Sequence, residues 1–299
     1  MKLIDVYQNA IKNKFAIGAY NFYNMETLQA ITEASKITNS PLIVSVSESA
    51  IKYMSMEMLK SMVDAVKRNK EAQIFLHLDH GKTFEICKLC IDNDFDSVMI
   101  DGSSLPYEEN IAITKKVVDY AHTKGVQVEG ELGTLAGIED DINVEKTTYT
   151  NPLEAKDFVE KTNVDSLAIA IGTSHGAYKF NGDPKIRIDI LEEIEKMLPN
   201  FPLVLHGASS VPQEITDKFN KFGGDITSAK GVSEEILREV SKHNIVKINV
   251  DTDIRLAFTT EIRKAFIEDK KMFSPRDYLS LSKNAVTNLV ASKQKIFGN

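Results

Sequence analysis

Three of the six histidines stand in polar, glycine-bearing turns: Asp79-His80-Gly81, Ser174-His175-Gly176 and His206-Gly207-Ala208-Ser209. A lone histidine is ordinarily structural. Three in such turns, each just after a short apolar β-rich run, have the chemistry of a metal centre. Three neutral imidazoles that leave one position open suit catalytic Zn²⁺. Asp101 and Glu131 end two further runs of the same kind and read as carboxylates that orient the imidazoles, or as alternative ligands. The remaining histidines, His77, His122 and His243, fall inside a strand or on helices.

The same turns carry a second signal. Gly176, Gly207 and Ser209 expose backbone N–H groups, and residues 249–252 (Asn249 to Thr252) open a helix. Such turns and helix starts hold phosphate without net positive charge, and Lys179 adds a cation. The longest polar connection, 133–151, contains Gly137-Ile138-Glu139-Asp140-Asp141. A structureless loop of that length reads as a functional lid or as disordered, and as a lid it has Gly133 and Gly137 for hinges. Spacing alone leaves its acidic run a solvated surface.

Positioning these groups requires a repeating frame. Eight β-rich runs, at 15–20, 42–46, 74–78, 97–100, 126–129, 166–171, 203–205 and 245–248, alternate with segments of helical periodicity. Those segments are 25–37, 54–68, 83–91, 107–122, 152–160, 188–197, 212–219 with 232–241, and 252–266. Alternating strands and helices imply right-handed crossovers and a parallel sheet. Eight such units predict a closed (β/α)₈ barrel over 1–299 as one domain, with residues 275–299 forming an extra C-terminal helix. An open doubly wound sheet is the alternative, but no G-x-G-x-x-G follows the first run. In a barrel all the turns named above lie at the carboxyl ends of the strands, where such enzymes keep their sites.

Composition removes other classes. The 36 basic and 43 acidic residues give a net charge of −7, which speaks against nucleic acid as a partner. No apolar run approaches the ~20 residues of a membrane span, and the expected location is the cytoplasm. Cys87 and Cys90 form a single C-x-x-C on a helical segment. Shared helical spacing with Phe84 and Ile91 reads as core packing rather than a zinc knuckle.

The rim motifs resemble those of class II, metal-dependent fructose-bisphosphate aldolases. They are Leu76-His77-Leu78-Asp79-His80-Gly81, Val128-Glu129-Gly130-Glu131-Leu132-Gly133, Gly172-Thr173-Ser174-His175-Gly176, Leu205-His206-Gly207-Ala208-Ser209 and Asn249-Val250-Asp251-Thr252-Asp253. Asn21-Phe22-Tyr23-Asn24 and Val46-Ser47-Glu48 extend the likeness to the first two strands. Long motifs in the right order over nearly the whole chain make the resemblance specific. At strand four it departs: Asp101-Gly102-Ser103-Ser104-Leu105 stands where many relatives carry Ala-Ser-His-His.

The resemblance implies roles. His80, His175 and His206 are the zinc ligands. Asp79 exchanges a proton with the C4 hydroxyl, and Glu139 on the loop is the base for the dihydroxyacetone-phosphate half. Asn21 contacts substrate. Gly176, Lys179, Gly207, Ser209, Asn249 and Thr252 form the C1-phosphate and backbone-contact set, beside a monovalent cation (Na⁺ or K⁺). Ser47 and Arg255 meet the other phosphate. Arg255 is expected to come from a partner subunit of a homodimer or larger homo-oligomer. An acid at Asp251 goes with fructose-type enzymes, whereas tagatose-type relatives carry a small residue; the bland reading of Asp251 is a helix cap.

The implied activity is zinc-dependent, reversible cleavage of fructose 1,6-bisphosphate. The chemistry fits, because cleaving a C–C bond beside a ketone needs a sink for negative charge and two proton handlers. The alternatives are a tagatose-bisphosphate aldolase, a non-catalytic sugar-phosphate binder and, more remotely, a metal-dependent hydrolase. A Schiff-base mechanism has only Lys247, inside the last strand, as its lysine.

Overall fold

The structure is a computed structural model. It describes residues 2–299 except 140–141, 145–146, 176–185 and 227–228, and gives the backbone alone for 136–139, 142–144 and 175. Its strands are β1 (Ile17–Asn21), β2 (Leu42–Val46), β3 (Ile74–Gly81), β4 (Ser97–Ile100), β5 (Gln127–Leu132), β6 (Ala136–Glu139), β7 (Ile142–Val144), β8 (Ser166–Ile169), β9 (Ser174–His175), β10 (Leu203–Leu205) and β11 (Ile245–Val250). Eight of them close into a parallel barrel in the order β1-β11-β10-β8-β5-β4-β3-β2. The closing pair runs in register from Ile17 opposite Lys247 to Tyr20 opposite Val250. This is a TIM barrel, and the open-sheet alternative is excluded.

Both faces of the barrel are covered. Helices between the strands pack outside, so the strands are buried along their length, as a parallel sheet requires. Helix Leu3–Asn13 buries Leu3, Val6, Tyr7, Ala10 and Ile11. That face meets Ile17, Ile43, Phe75 and Val246 near the starts of four strands, so it plugs the amino end of the barrel. The carboxyl end is left for chemistry.

One expectation gains an element and another is corrected. The helix expected at 54–68 is Met56–Lys67, and a further helix, Glu48–Met54, precedes it. They break at Ser55, whose φ of +66° cannot continue a helix and whose hydroxyl accepts the Met58 N–H at 3.4 Å. The connection 133–151 is also not structureless. β6 and β7 form an antiparallel pair, Gly137 opposite Val144 and Glu139 opposite Ile142. β9 adds to β6 in parallel, Gly137 opposite His175. Gly133 is less a hinge than a tight passage: its φ is +83°, and a Cβ there would lie 2.5 Å from the Thr148 carbonyl oxygen.

Cys87 and Cys90 are fully buried in the main core. Burial pushes the Cys87 thiol up to about 12, which suits packing and not redox chemistry. Among the described residues no helix is long and apolar enough to cross a membrane.

Candidate active site

The site grows from an irregularity in β3. Consecutive residues of a regular strand face opposite sides, yet Asp79 and His80 serve one cluster. The β3–β4 register shifts between Leu78 and Gly81, and His80 takes a φ of +49°. This bulge turns both side chains to the mouth. Ligand-type atoms of Asp79, His80 and His206 lie within 4.8 Å of one another, as do those of His80, Asp101 and Glu131. The His80 and His206 rings meet edge to face, centroids 4.6 Å apart.

Each imidazole is anchored by one nitrogen. His80 Nδ1 lies 2.9 Å from Asp101 and 3.7 Å from Glu131. Asp101 in turn accepts the Ser103 N–H at 3.0 Å and its hydroxyl at 2.7 Å. Burial opposes ionisation of Asp101, but His80 and Ser103 hold its carboxyl well below the usual range. His206 Nε2 lies 2.7 Å from Glu129. This is the carboxylate–histidine arrangement that fixes a ring and leaves its other nitrogen for a metal. Burial, then the charge of Lys247, lowers the His206 pKa, which favours the neutral, ligating form. The donor set fits a divalent ion of the zinc type.

Asp79 is held by two amides: Asn21 Nδ2 donates to one oxygen at 3.0 Å and Asn249 Nδ2 to the other at 2.9 Å. The Asn249 amide also lies 3.3 Å from His206 Nδ1. Asn21 Oδ1 and Asn249 Oδ1 are buried with no hydrogen-bond partner among the described residues, which leaves two acceptors beside Asp79.

Beneath this layer lies a polar core that motif reading passes over. Lys247 Nζ contacts both oxygens of Glu129, at 3.0 and 2.8 Å, and His77 Nε2 at 3.1 Å. His77 Nδ1 meets Ser97 Oγ at 2.7 Å. Lys247 is thus engaged as the counter-ion of Glu129 and not placed as a Schiff-base nucleophile. Burial would raise the Glu129 pKa, but Lys247, His206 and His77 hold it well below the ordinary value. The available signal was strand period two: His77 with Asp79, Glu129 with Glu131, and Lys247 with Asn249 all face the barrel interior.

This core makes stability pH-dependent. Burial, then Lys247, lowers the His77 pKa to about 3, against opposing pulls from Glu129 and Asp79. An unfolded histidine titrates near 6.5, so the unfolded chain binds the extra proton between these values. That contribution is fully present above about pH 6.5 and is lost as pH falls toward about 3, by up to about 1.4 kcal/mol per pH unit. Urea midpoints taken between about pH 7 and pH 4 should fall on acidification, and His77→Gln should flatten that part of the curve.

Other expected residues take distinct places. Gly207, at φ +61°, packs so closely that a Cβ would lie 2.6 Å from the Ser174 carbonyl oxygen. The backbone of His175 therefore runs beside the turn that follows His206. Glu139 ends β6, two residues beyond the Gly137–His175 pairing. Gly176 and Lys179 lie outside the described residues. Ser47 caps the helix Glu48–Met54, accepting the Ala50 N–H at 3.4 Å. Ser209 Oγ accepts the Asp251 N–H at 3.2 Å, and Thr252 begins the helix Thr252–Glu268.

Asp251 occupies the cap position of that helix but makes no side-chain cap hydrogen bond. Its carboxylate instead receives Arg255 Nε at 2.9 and 3.0 Å and the Tyr23 hydroxyl. Arg255 also stacks on the Tyr23 ring, 4.5 Å from its centroid. Burial pushes the Asp251 carboxyl up, with Arg255 opposing. The cap reading of Asp251 is thereby set aside, and Tyr23 joins the rim as its partner.

Fold and site together define a class: a (β/α)₈ barrel whose strand ends gather imidazoles, carboxylates and anion-type turns around a metal-type cluster. The model for "Fructose-bisphosphate aldolase class-II" matches residues 1–299. Two proteins named fructose-bisphosphate aldolase are similar across their length. That of Treponema pallidum is 47% identical, covering 97% of this chain and 93% of its own; that of Helicobacter pylori is 46% identical, covering 99% and 97%. The crystal structure of the YdjI aldolase from Escherichia coli superposes with a TM-score of 0.80 at 27% identity, over 99% of this chain and 96% of that one. The chain belongs to the class-II fructose-bisphosphate aldolase family.

Proposed function

We propose that the protein cleaves fructose 1,6-bisphosphate reversibly to dihydroxyacetone phosphate and glyceraldehyde 3-phosphate, with Zn²⁺ held by His80, His175 and His206. The observation that carries this is the pair of edge-to-face imidazoles, each backed by its own carboxylate, beside an aspartate held by two amides. Bound there, the ion supplies Lewis-acid polarisation of the substrate ketone and a share of the negative charge that develops on cleavage.

The chain's own groups do the rest. Asp79 takes the C4 hydroxyl proton during cleavage and returns it to the aldehyde oxygen during condensation. Asn21 and Asn249 hold it in line. Glu139 exchanges the proton at the carbon of the dihydroxyacetone-phosphate half. Gly176, Lys179, Gly207, Ser209, Asn249 and Thr252 seat the C1-phosphate beside a monovalent cation, Na⁺ or K⁺. Ser47 and Arg255 meet the second phosphate. Arg255 does so from the rim of its own chain, beside Asp251 and Tyr23, and the protein works as a homodimer or larger homo-oligomer in the cytoplasm. Asp101 and Glu131 orient His80.

Assay of the purified protein on fructose and tagatose bisphosphates, with metal analysis of the same sample, tests this reading. Cleavage of the fructose sugar by zinc-containing protein is expected; absence of both activity and metal overturns it. The same assay reads Asp251. A site rejects an epimer only through polar groups aimed at one arrangement of hydroxyls. Asp251→Ala is expected to narrow the fructose-over-tagatose preference in kcat/KM by about tenfold, or about 1.4 kcal/mol. Equal losses on the two sugars would remove Asp251 from specificity.

A further inference from the structure

The C-terminal helix Pro275–Ile296 lies outside the barrel, yet it sends a lysine inward. The Lys293 side chain is 2% exposed and its ion-pair partner Asp253 is 0% exposed, Nζ to Oδ2 at 3.1 Å. Lys293 also contacts the Ser210 hydroxyl. Asp253 accepts the Ser210 N–H at 3.0 Å, the Ser210 hydroxyl at 3.3 Å and the Val211 N–H at 2.8 Å. These are the residues of the turn that follows His206.

We propose that Lys293 is a positioning residue for the phosphate seat, acting through Asp253: it fixes the turn after β10 and cancels a carboxylate charge that would otherwise oppose a bound anion. The proposal rests on the phosphate role given above to that turn and to the start of helix Thr252–Glu268.

The turn needs holding. Gly207 and Val211 have φ of +61° and +45°. A β-branched residue in the left-handed region persists only where its surroundings over-determine it. Asp253 supplies that constraint by binding the amide of Val211 itself. Its place raises an electrostatic problem, however. Asp253 is the second residue of its helix, at the end whose N–H groups favour a negative ligand. An uncancelled carboxylate there competes with a phosphate for the same favourable field. A buried ammonium is costly to place, and an apolar residue would pack the helix as well. Lys293 answers the carboxylate from the C-terminal helix.

Charge and geometry give opposite signs in two variants. Lys293→Met is expected to raise KM for fructose bisphosphate and the inhibition constant of inorganic phosphate, each about tenfold, the order for one uncancelled unit charge near a bound anion. Its kcat should stay within about threefold and its metal should be retained. Asp253→Asn leaves the ammonium unbalanced and is expected to lower the phosphate inhibition constant. A merely structural pair would weaken phosphate in both variants, and that result, or parent values in Lys293→Met, overturns the proposal. If Lys293→Met does not fold, the sign of the Asp253→Asn change decides. Hydrogen exchange of peptides covering 207–211, measured without substrate, separates this from failure of the aldolase reading. Faster exchange in Lys293→Met supports the positioning even if the parent proves inactive; parent-like exchange overturns it whatever the activity.

Discussion

His206→Ala is expected to lose its metal and its activity together, and a chelator should reproduce that loss in the parent, with zinc restoring turnover. The ring of His206 is fully buried between Glu129 on one nitrogen and the Asn249 amide near the other. Alanine therefore deletes the donor and leaves Glu129 without its imidazole partner, held by Lys247. Asp79→Ala is the contrasting case. Asp79 sits in the same cluster, but its assigned work is proton transfer, so the variant should keep its metal and lose cleavage by about 10²–10⁴-fold in kcat. Metal content and kcat measured on the same three preparations check this. His206→Ala that retains zinc, or Asp79→Ala that cleaves at the parent rate, reassigns the residue concerned.

Lys247→Met carries the second large effect. Removing one partner of a buried pair strands the other charge, at a cost of about 3–5 kcal/mol. The pair here is buried, with side-chain exposures of 0% for Lys247 and 2% for Glu129. Urea unfolding of the metal-free protein should show a large fall in midpoint with little change in slope. Removing both charges, as in Lys247→Met with Glu129→Leu, should recover much of the stability. Metal affinity should not recover, because His206 has then lost the acceptor that orients it, a loss worth roughly 10–100-fold. A single variant as stable as the parent would show that Glu129 is not held ionised by Lys247.

Much of this site is legible in the chain. Eight strand–helix units were countable because each strand is a short apolar run. The histidines stand out because turn chemistry explains the glycines and some of the Asp and Ser around them but calls for no imidazole. What stayed hidden followed from side-chain direction. Glu129 and Lys247 read as members of apolar strands, and nothing local says that an inward residue of one strand meets an inward residue of another. The bulge at His80 depends on the β3–β4 pairing and is invisible within β3. The β6–β7 hairpin escapes the sequence because its strands are four and three residues long, too short for a clear period. Lys293 resembled any lysine on an outer helix, since its burial depends on Asp253, forty residues earlier.

The polar core also bears on how the barrel assembles. Lys247 finds His77 across 170 residues of chain and Glu129 across 118, and Glu129 finds His206 across 77. Lys247 meets its partners from across the barrel, since β1 and β2 separate β11 from β3, and β10 and β8 separate it from β5. Closure pairs β1 with β11, and β11 is the strand that brings Lys247. Until then the ammonium and the carboxylate remain hydrated, and neither rewards a partial structure. Contacts made this late weigh on the escape rate from the native state more than on the rate of reaching it. The charged interior therefore works as a latch, engaging after the search for topology is over and chiefly governing how long the closed cylinder persists.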